Sequence, residues 1–263
     1  MATVKEVLKF IETMAPRSMK MDWDNVGLLC GDPDQEVTRI LVALDPFEDV
    51  CEEAEKIGAQ LIVTHHPLIF VAPKAVTTET SVGRCIRFLC RHEISAINAH
   101  TNLDCAPGGV NDVLAARLGL SDVSVIKPEG VDAEGREWGL LRQGFVAQQP
   151  LSDFLALVKE RLGIAVLRYA DGGKPIRKVA VGGGACASEL LDACDAGCDA
   201  FVTSDVKYNQ FWDASDLGIT LIDAGHFYTE NPVCDALAAR LSEAFPEISV
   251  KISEIHTDCM RFF

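Results

Sequence analysis

The sequence predicts an α/β chain of two similar lobes that arose by duplication, joined by a small α+β connector. Three observations carry this reading. Short apolar runs rich in β-branched residues alternate with helical segments, the pattern of βαβ units and a largely parallel sheet. The alternation occurs twice, in the same order. The helices that close the two series also read almost alike, Val110-Asn111-Asp112-Val113-Leu114-Ala115-Ala116-Arg117-Leu118 against Val233-Cys234-Asp235-Ala236-Leu237-Ala238-Ala239-Arg240-Leu241. Any two amphipathic helices share apolar spacing, so one such pair decides little. The recurrence of three elements with matching loop positions favours duplication.

The first segment reads as an opening helix. Residues 39–45 form a strand, 48–57 a helix that ends at Gly58, and 60–64 the next strand. A helix over 81–91 leads to a strand over 94–99. Pro107-Gly108-Gly109 then opens a helix that runs through Leu118 and stops at Gly119. In the second half, 177–181 is a strand and 186–196 a helix before Gly197; 199–203 matches 60–64, and 219–224 matches 94–99. Between the halves, Lys127-Pro128-Glu129-Gly130 and Asp171-Gly172-Gly173-Lys174-Pro175 are turn-rich brackets. They enclose a strand-like piece over 137–147 and a helix over 151–162. The resulting divisions are a first lobe over 1–120, a connector over 121–176 and a second lobe over 177–263.

Composition narrows the function classes. The 263 residues suffice for one large or two ordinary domains with a sizeable core. A formal net charge of −15 and a pI near 4.8 disfavour binding to a phosphate backbone, so nucleic acid is not an expected partner. No apolar stretch approaches the roughly 18 residues of a membrane span. Met1-Ala2-Thr3-Val4-Lys5-Glu6 does not read as a signal peptide, and the expected location is cytoplasmic. The ten cysteines include no C-x-x-C pair and sit mostly in apolar patterns, so they read as reduced thiols that pack as small hydrophobes.

In parallel sheets, ligands bind beyond the C-terminal ends of the strands. Thr64-His65-His66-Pro67 lies just past one strand, His100-Thr101-Asn102-Leu103-Asp104 just past the next, and Gly225-His226 through Glu230 past the counterpart of the latter. Four of the six histidines and two carboxylates therefore share one kind of topological position. Imidazole and carboxylate together suit Zn²⁺, Fe²⁺, Mn²⁺, Co²⁺ or Ni²⁺. The adjacent His65 and His66 leave one turn in different directions, so a single segment can serve two ions. His226 and Glu230, like His100 and Asp104, are spaced to meet on one helical face. A carboxylate can bridge two ions and an imidazole cannot, which makes Asp104 and Glu230 the bridging candidates. The second lobe has Ser204-Asp205 where the first has His65-His66, so one composite site per chain is expected rather than one per lobe. His92 and His256 read as surface or capping histidines. Gly182-Gly183-Gly184 reads as a tight turn; it lacks the Lys-Ser/Thr of a phosphate loop. No Gly-x-Ser-x-Gly elbow marks a serine hydrolase.

Four blocks in order, Trp23-Asp24-Asn25-Val26-Gly27-Leu28, Thr64-His65-His66-Pro67, Ala99-His100-Thr101-Asn102-Leu103-Asp104 and Gly225-His226 through Thr229-Glu230, resemble those of the Nif-three-like dinuclear-metal-centre proteins, also called GTP cyclohydrolase I type 2 homologues. The resemblance spans almost the whole chain. It implies two intertwined three-layer α/β lobes and a toroidal homohexamer with metal sites facing an internal cavity. It implies two divalent ions per chain, held by residues matching His65, His66, Asp104, His226 and Glu230, with His100 beside them as a proton shuttle. The connector is too short to hold the extra domain that some relatives carry. The expected function is metal-dependent hydrolysis of a small nucleotide-like or phosphorylated substrate, with GTP ring opening suggested by the family's name. The competing reading is a metal-binding assembly or regulatory protein without turnover.

Overall fold

The structure, a computed structural model, describes residues 2–262; Met1 and Phe263, the outermost positions of the first and last segments proposed above, lie outside it. The chain forms two compact units. One comprises the residues up to Leu103 together with Val233–Thr257; the other comprises Asp104–Pro232 and the segment from Asp258. These units depart from the divisions read from the sequence. The helix Val110–Leu118 follows the first series of strands, yet it packs in the second unit against the helix Leu151–Leu162. Its near-copy Val233–Ala244 follows the second series and packs on the first unit's strands Ser249–Ile252 and Arg39–Ala43. The chain thus crosses from unit to unit three times, after Leu103, after Pro232 and after Thr257. An amphipathic stripe specifies that a helix is covered, not which sheet covers it.

The first unit is built on a five-stranded sheet ordered Ser249–Ile252, Arg39–Ala43, Leu61–Thr64, Ser95–Asn98 and Gly27–Cys30. The first four run parallel and the last antiparallel. Ala43, Thr64 and Asn98 lie in register, so the chain leaves three neighbouring strands at one edge, just before Asp45, His65 and His100. Leu41, Ala43, Ile62 and Ala96 share a core with Val50, Cys51 and Ala54 of the helix Glu48–Ile57 and with Cys85 and Leu89 of the helix Ser81–Arg91. The alternate residues Ile40, Val42, Val63 and Ile97 are also buried, as expected for a parallel sheet covered on both faces. Gly58 caps the first of these helices in the left-handed region (φ 70°), the stop expected from the sequence. The opening helix Val4–Met14 starts at a capping box, with Glu6 N–H donating to Thr3 Oγ1 and Thr3 N–H to Glu6 Oε2.

The second unit has a six-stranded sheet ordered Arg168–Ala170, Thr220–Asp223, Ala200–Thr203, Ile176–Val181, Leu141–Gln149 and Ser121–Ile126. Its three central strands are parallel, and Thr203 lies in register with Asp223. In both sheets an antiparallel strand flanks the last parallel strand in chain order before the exchanged helix, Ser95–Asn98 in one and Thr220–Asp223 in the other. The connector supplies the strands at both edges, so it is part of this sheet and not a separate element. Val179, Val181, Val202 and Ile222 pack on the helices Val110–Leu118 and Leu151–Leu162. Ala180, Phe201 and Leu221 face the helices Leu190–Asp195 and Tyr208–Leu217. This is a three-layer arrangement. The helix expected over 186–196 is broken into a 3-10 turn, Ala187–Glu189, and the helix Leu190–Asp195. No described helix is long and apolar enough to cross a membrane.

Candidate metal centre

In the first unit, the turn after Leu61–Thr64 is shaped by hydrogen bonds from Thr64 Oγ1 to the His66 carbonyl (2.7 Å) and from His66 N–H to the Leu44 carbonyl (2.9 Å). The His65 and His66 rings lie 5.0 Å apart and tilt by 42°. His100 lies 5.2 Å from the first ring and 5.6 Å from the second. Nitrogens of the three fall within 4.8 Å of one another, so this group could hold a metal ion. His100, expected beside the ligands, therefore also stands among the possible donors.

In the second unit, His226 and Glu230 begin and end the short helix His226–Glu230, and their Nε2 and Oε2 atoms are 2.9 Å apart. Asp104 and Glu230 are buried and bring carboxylate oxygens within 4.8 Å of each other. A single buried amide organises this pair. Asn111 donates from Nδ2 to the Asp104 carbonyl (3.2 Å) and accepts at Oδ1 from Gly183 N–H (2.7 Å). The buried Arg142 guanidinium donates to the carbonyls of Cys105 (3.1 Å) and Ala106 (3.2 Å), which fixes the backbone just after Asp104.

The Gly182-Gly183-Gly184 turn is tight, as expected, and its backbone N–H groups are spent internally. Gly182 donates to the Val202 carbonyl (3.0 Å), Gly183 to Asn111, and Gly184 to Thr229 Oγ1 (3.0 Å). A phosphate would find no donor there. A β-carbon on Gly184 would meet the Glu230 carboxylate and lie 3.2 Å from His226 Nε2. The glycine exists to let the carboxylate approach the backbone.

The four imidazoles share one feature. Each engages an oxygen through Nδ1: His65 the Ala99 carbonyl (2.9 Å), His66 Asp45 Oδ1 (2.6 Å), His100 Asp24 Oδ1 (2.8 Å) and His226 Asp205 Oδ2 (2.9 Å). An outer oxygen of this kind fixes ring orientation and tautomer in metal-ligating histidines and leaves Nε2 as the donor atom. The donor set therefore fits a borderline divalent ion. Neighbouring thiols stay protonated: burial, reinforced by Asp104 and Glu230, pushes Cys186 well above its ordinary value, and burial with Asp104 does the same to Cys105. Asp24 and Asp45 are both held well below the usual carboxylate range. Burial alone would raise each, but hydrogen bonds from His100 and Thr101, or from His256 and His66, outweigh it.

Asp24, Asp45, Asp205 and Asn111 were not singled out from the sequence. Asp45 follows its strand at the same edge as His65 follows the next, and that position is the signal the sequence offers. Asp205 stands at the counterpart of His66 and has φ 53°, a left-handed conformation uncommon outside glycine and concentrated at functional sites. His92 is a surface histidine stacked on Phe88, as expected. His256 is not. Its side chain is 5% exposed and its Nε2 lies 2.9 Å from Asp45 Oδ2, because the strand Ser249–Ile252 returns beside Arg39–Ala43.

The lowered Asp24 carboxyl has a measurable consequence. A group held below its unfolded value of about 3.9 adds stability that is present above about pH 4 and lost as pH falls through the folded value. In metal-free protein, Asp24→Asn is expected to flatten the fall in unfolding midpoint below about pH 5. Parallel wild-type and variant curves would show that Asp24 is not held low.

Across residues 2–259 the chain matches the Duf34/NIF3 (NGG1p interacting factor 3) family model. The chain belongs to this family. It is 37% identical over 244 residues to a GTP cyclohydrolase 1 type 2 homolog of Clostridium perfringens, covering 91% of each chain. It is similar to the crystal structure of a Bacillus cereus protein related to NIF3, with TM-score 0.94 and 25% identity over 100% of this chain and 99% of that one. A Staphylococcus aureus hypothetical protein gives TM-score 0.92 at 32% identity, with 99% of each chain covered. The His, Asp and Glu groups of this family member are ones that could hold metal ions.

Proposed function

We propose that His65, His66, Asp104, His226 and Glu230 hold two divalent metal ions per chain, and that this Duf34/NIF3 protein hydrolyses a small nucleotide-like or phosphorylated substrate. The observation that carries the reading is the set of four histidines, each anchored through Nδ1 to an oxygen, with Nε2 the ring nitrogen on the side away from that anchor. Two such ions supply Lewis-acid activation of water. Within the chain, Asp104 and Glu230 bring the negative charge that offsets the ions, and Asp24 holds the His100 ring so that its Nε2 can take up and release a proton. The exposed rings of Trp23 and Phe70, 6.1 and 6.2 Å from the His100 ring, offer flat apolar faces to a base-like ring, which favours the nucleotide-like class. The name GTP cyclohydrolase 1 type 2 homolog borne by its relatives supports the same class. We also propose a toroidal homohexamer, supported by the resemblance to the family, and a cytoplasmic location, supported by ten unbridged cysteines.

The test is a metal-supplemented turnover screen on nucleotides and phosphorylated small molecules, run with wild type and His100→Ala. His100→Ala is expected to keep two ions per chain and lose about 10²–10⁴-fold in rate. A variant that turns over normally removes the proton role; one that loses an ion makes His100 a ligand. No turnover by the metal-loaded wild type across the screen would leave the non-catalytic reading standing.

A further inference from the structure

Beyond the proposed donors, one carboxylate is shared by two imidazoles. Asp45 Oδ1 lies 2.6 Å from His66 Nδ1, and its Oδ2 lies 2.9 Å from His256 Nε2. We propose that His256 is a positioning residue that acts through Asp45 to fix the orientation and tautomer of His66, and so sets the affinity of one of the two metal positions. This rests on the metal reading above.

The geometry dictates the protonation pattern. A carboxylate only accepts, so each facing ring nitrogen must donate. His66 therefore carries its proton on Nδ1, and Nε2 keeps the lone pair a metal needs. His256 carries its proton on Nε2. With both oxygens engaged, Asp45 is held from two sides and cannot swing away from His66.

The backbone is built to deliver His256 to this place. The edge strand Ser249–Ile252 pairs parallel with Arg39–Ala43, and Ser253 N–H continues the ladder to the Val42 carbonyl (2.8 Å). The loop then latches onto the helix Glu48–Ile57: Ser253 Oγ donates to Glu53 Oε2, and Glu254 N–H donates to Glu53 Oε1 (2.9 Å). His256 N–H donates back to Ser253 Oγ (3.2 Å), and the Phe47 ring covers the imidazole edge-on at 6.0 Å. The outer partners of the other histidines are held differently. Asp24 is braced by the backbone and hydroxyl of Thr101, Asp205 is half exposed, and His65 uses a backbone carbonyl. His66 is the one whose carboxylate is braced by a distant segment, contributed after the chain has returned from the second unit.

Co²⁺ titration of the full chain against a chromophoric chelator tests the proposal, with wild type, His256→Asn and His256→Gln. The asparagine amide is too short to reach Asp45, whereas the glutamine amide can place an N–H where Nε2 stood. The expected result is one ion bound about 10–100-fold more weakly in His256→Asn, the usual cost of losing an outer partner. The other ion is unaffected, and His256→Gln restores most of the loss. Metal-free melting temperatures should match between the two variants, since a merely structural role would not separate them in metal affinity alone. The proposal is overturned if His256→Asn binds both ions like wild type, if glutamine fails to rescue, or if both ions weaken together with the metal-free fold. Wild type that takes up no Co²⁺ would instead overturn the metal reading itself.

Discussion

Asp104→Asn is expected to leave the chain folded but unable to hold its metals. Asp104 and Glu230 are buried, with carboxylate oxygens within 4.8 Å of each other. Two like charges at that separation repel by roughly 3 kcal/mol at an effective dielectric of about 20, so the pair is tolerable chiefly with a cation nearby. The amide removes one charge at almost constant shape. The metal-free variant should melt no lower than metal-free wild type, while affinity falls by at least the roughly 100-fold that losing an outer partner can cost. His226→Ala should lose affinity without that relief, because it removes neither carboxylate of the pair. Metal content per chain after dialysis, with melting curves of the stripped proteins, checks both. Two ions retained in each variant would sink the ligand assignment.

Gly184→Val should strike the same carboxylate from the backbone side. The residue sits at φ +64°, where an L side chain costs about 1–2 kcal/mol, and its β-carbon would run into Glu230 and crowd His226 Nε2. Either Glu230 leaves its place or the Gly182-Gly183-Gly184 turn opens and breaks the Gly184 N–H bond to Thr229 Oγ1. Both routes cost metal binding, and the second adds about 1 kcal/mol of instability. The expected outcome is a lowered melting temperature together with loss of metal at neutral pH. Gly173, before the strand that leads to this turn, is an internal control: it is also left-handed (φ +73°), but nothing lies within 4 Å of an added β-carbon. Gly173→Val should lose stability to backbone strain alone and keep its metal. Equal metal content in the two glycine variants would mean that the close approach at Gly184 is unimportant.

Much of the candidate site was legible because it follows from chain direction. Parallel strands send their C-terminal ends to one edge, so residues that follow them are gathered wherever the strands pair in register, as Ala43, Thr64 and Asn98 do. The spacing of His226 and Glu230 was legible for the same kind of reason, since the helical repeat brings positions four apart together. The supporting residues were hidden because each depends on a pairing between distant segments. His256 is a surface histidine by every local criterion until the edge strand Ser249–Ile252 sets it beside Asp45. Asn111 lies in a helix whose near-copy has Cys234 at that place, and its amide gains its task from the Gly183 turn and the carbonyls of Asp104 and Leu140.

The first observation, a doubled α/β pattern with metal-binding residue types after matching strands, was a property of the sequence alone. Hydrophobic period, strand direction and ligand chemistry are local, and they suffice for fold class and for a candidate donor set. The exchange of the helices Val110–Leu118 and Val233–Ala244 between units was decided only in the tertiary structure, as was the incorporation of the connector into the second sheet. So was the bracing of each imidazole through Nδ1. The physical reason is that burial and hydrogen bonding are satisfied by whichever partner the folded chain brings near, and a sequence states the need without naming the partner.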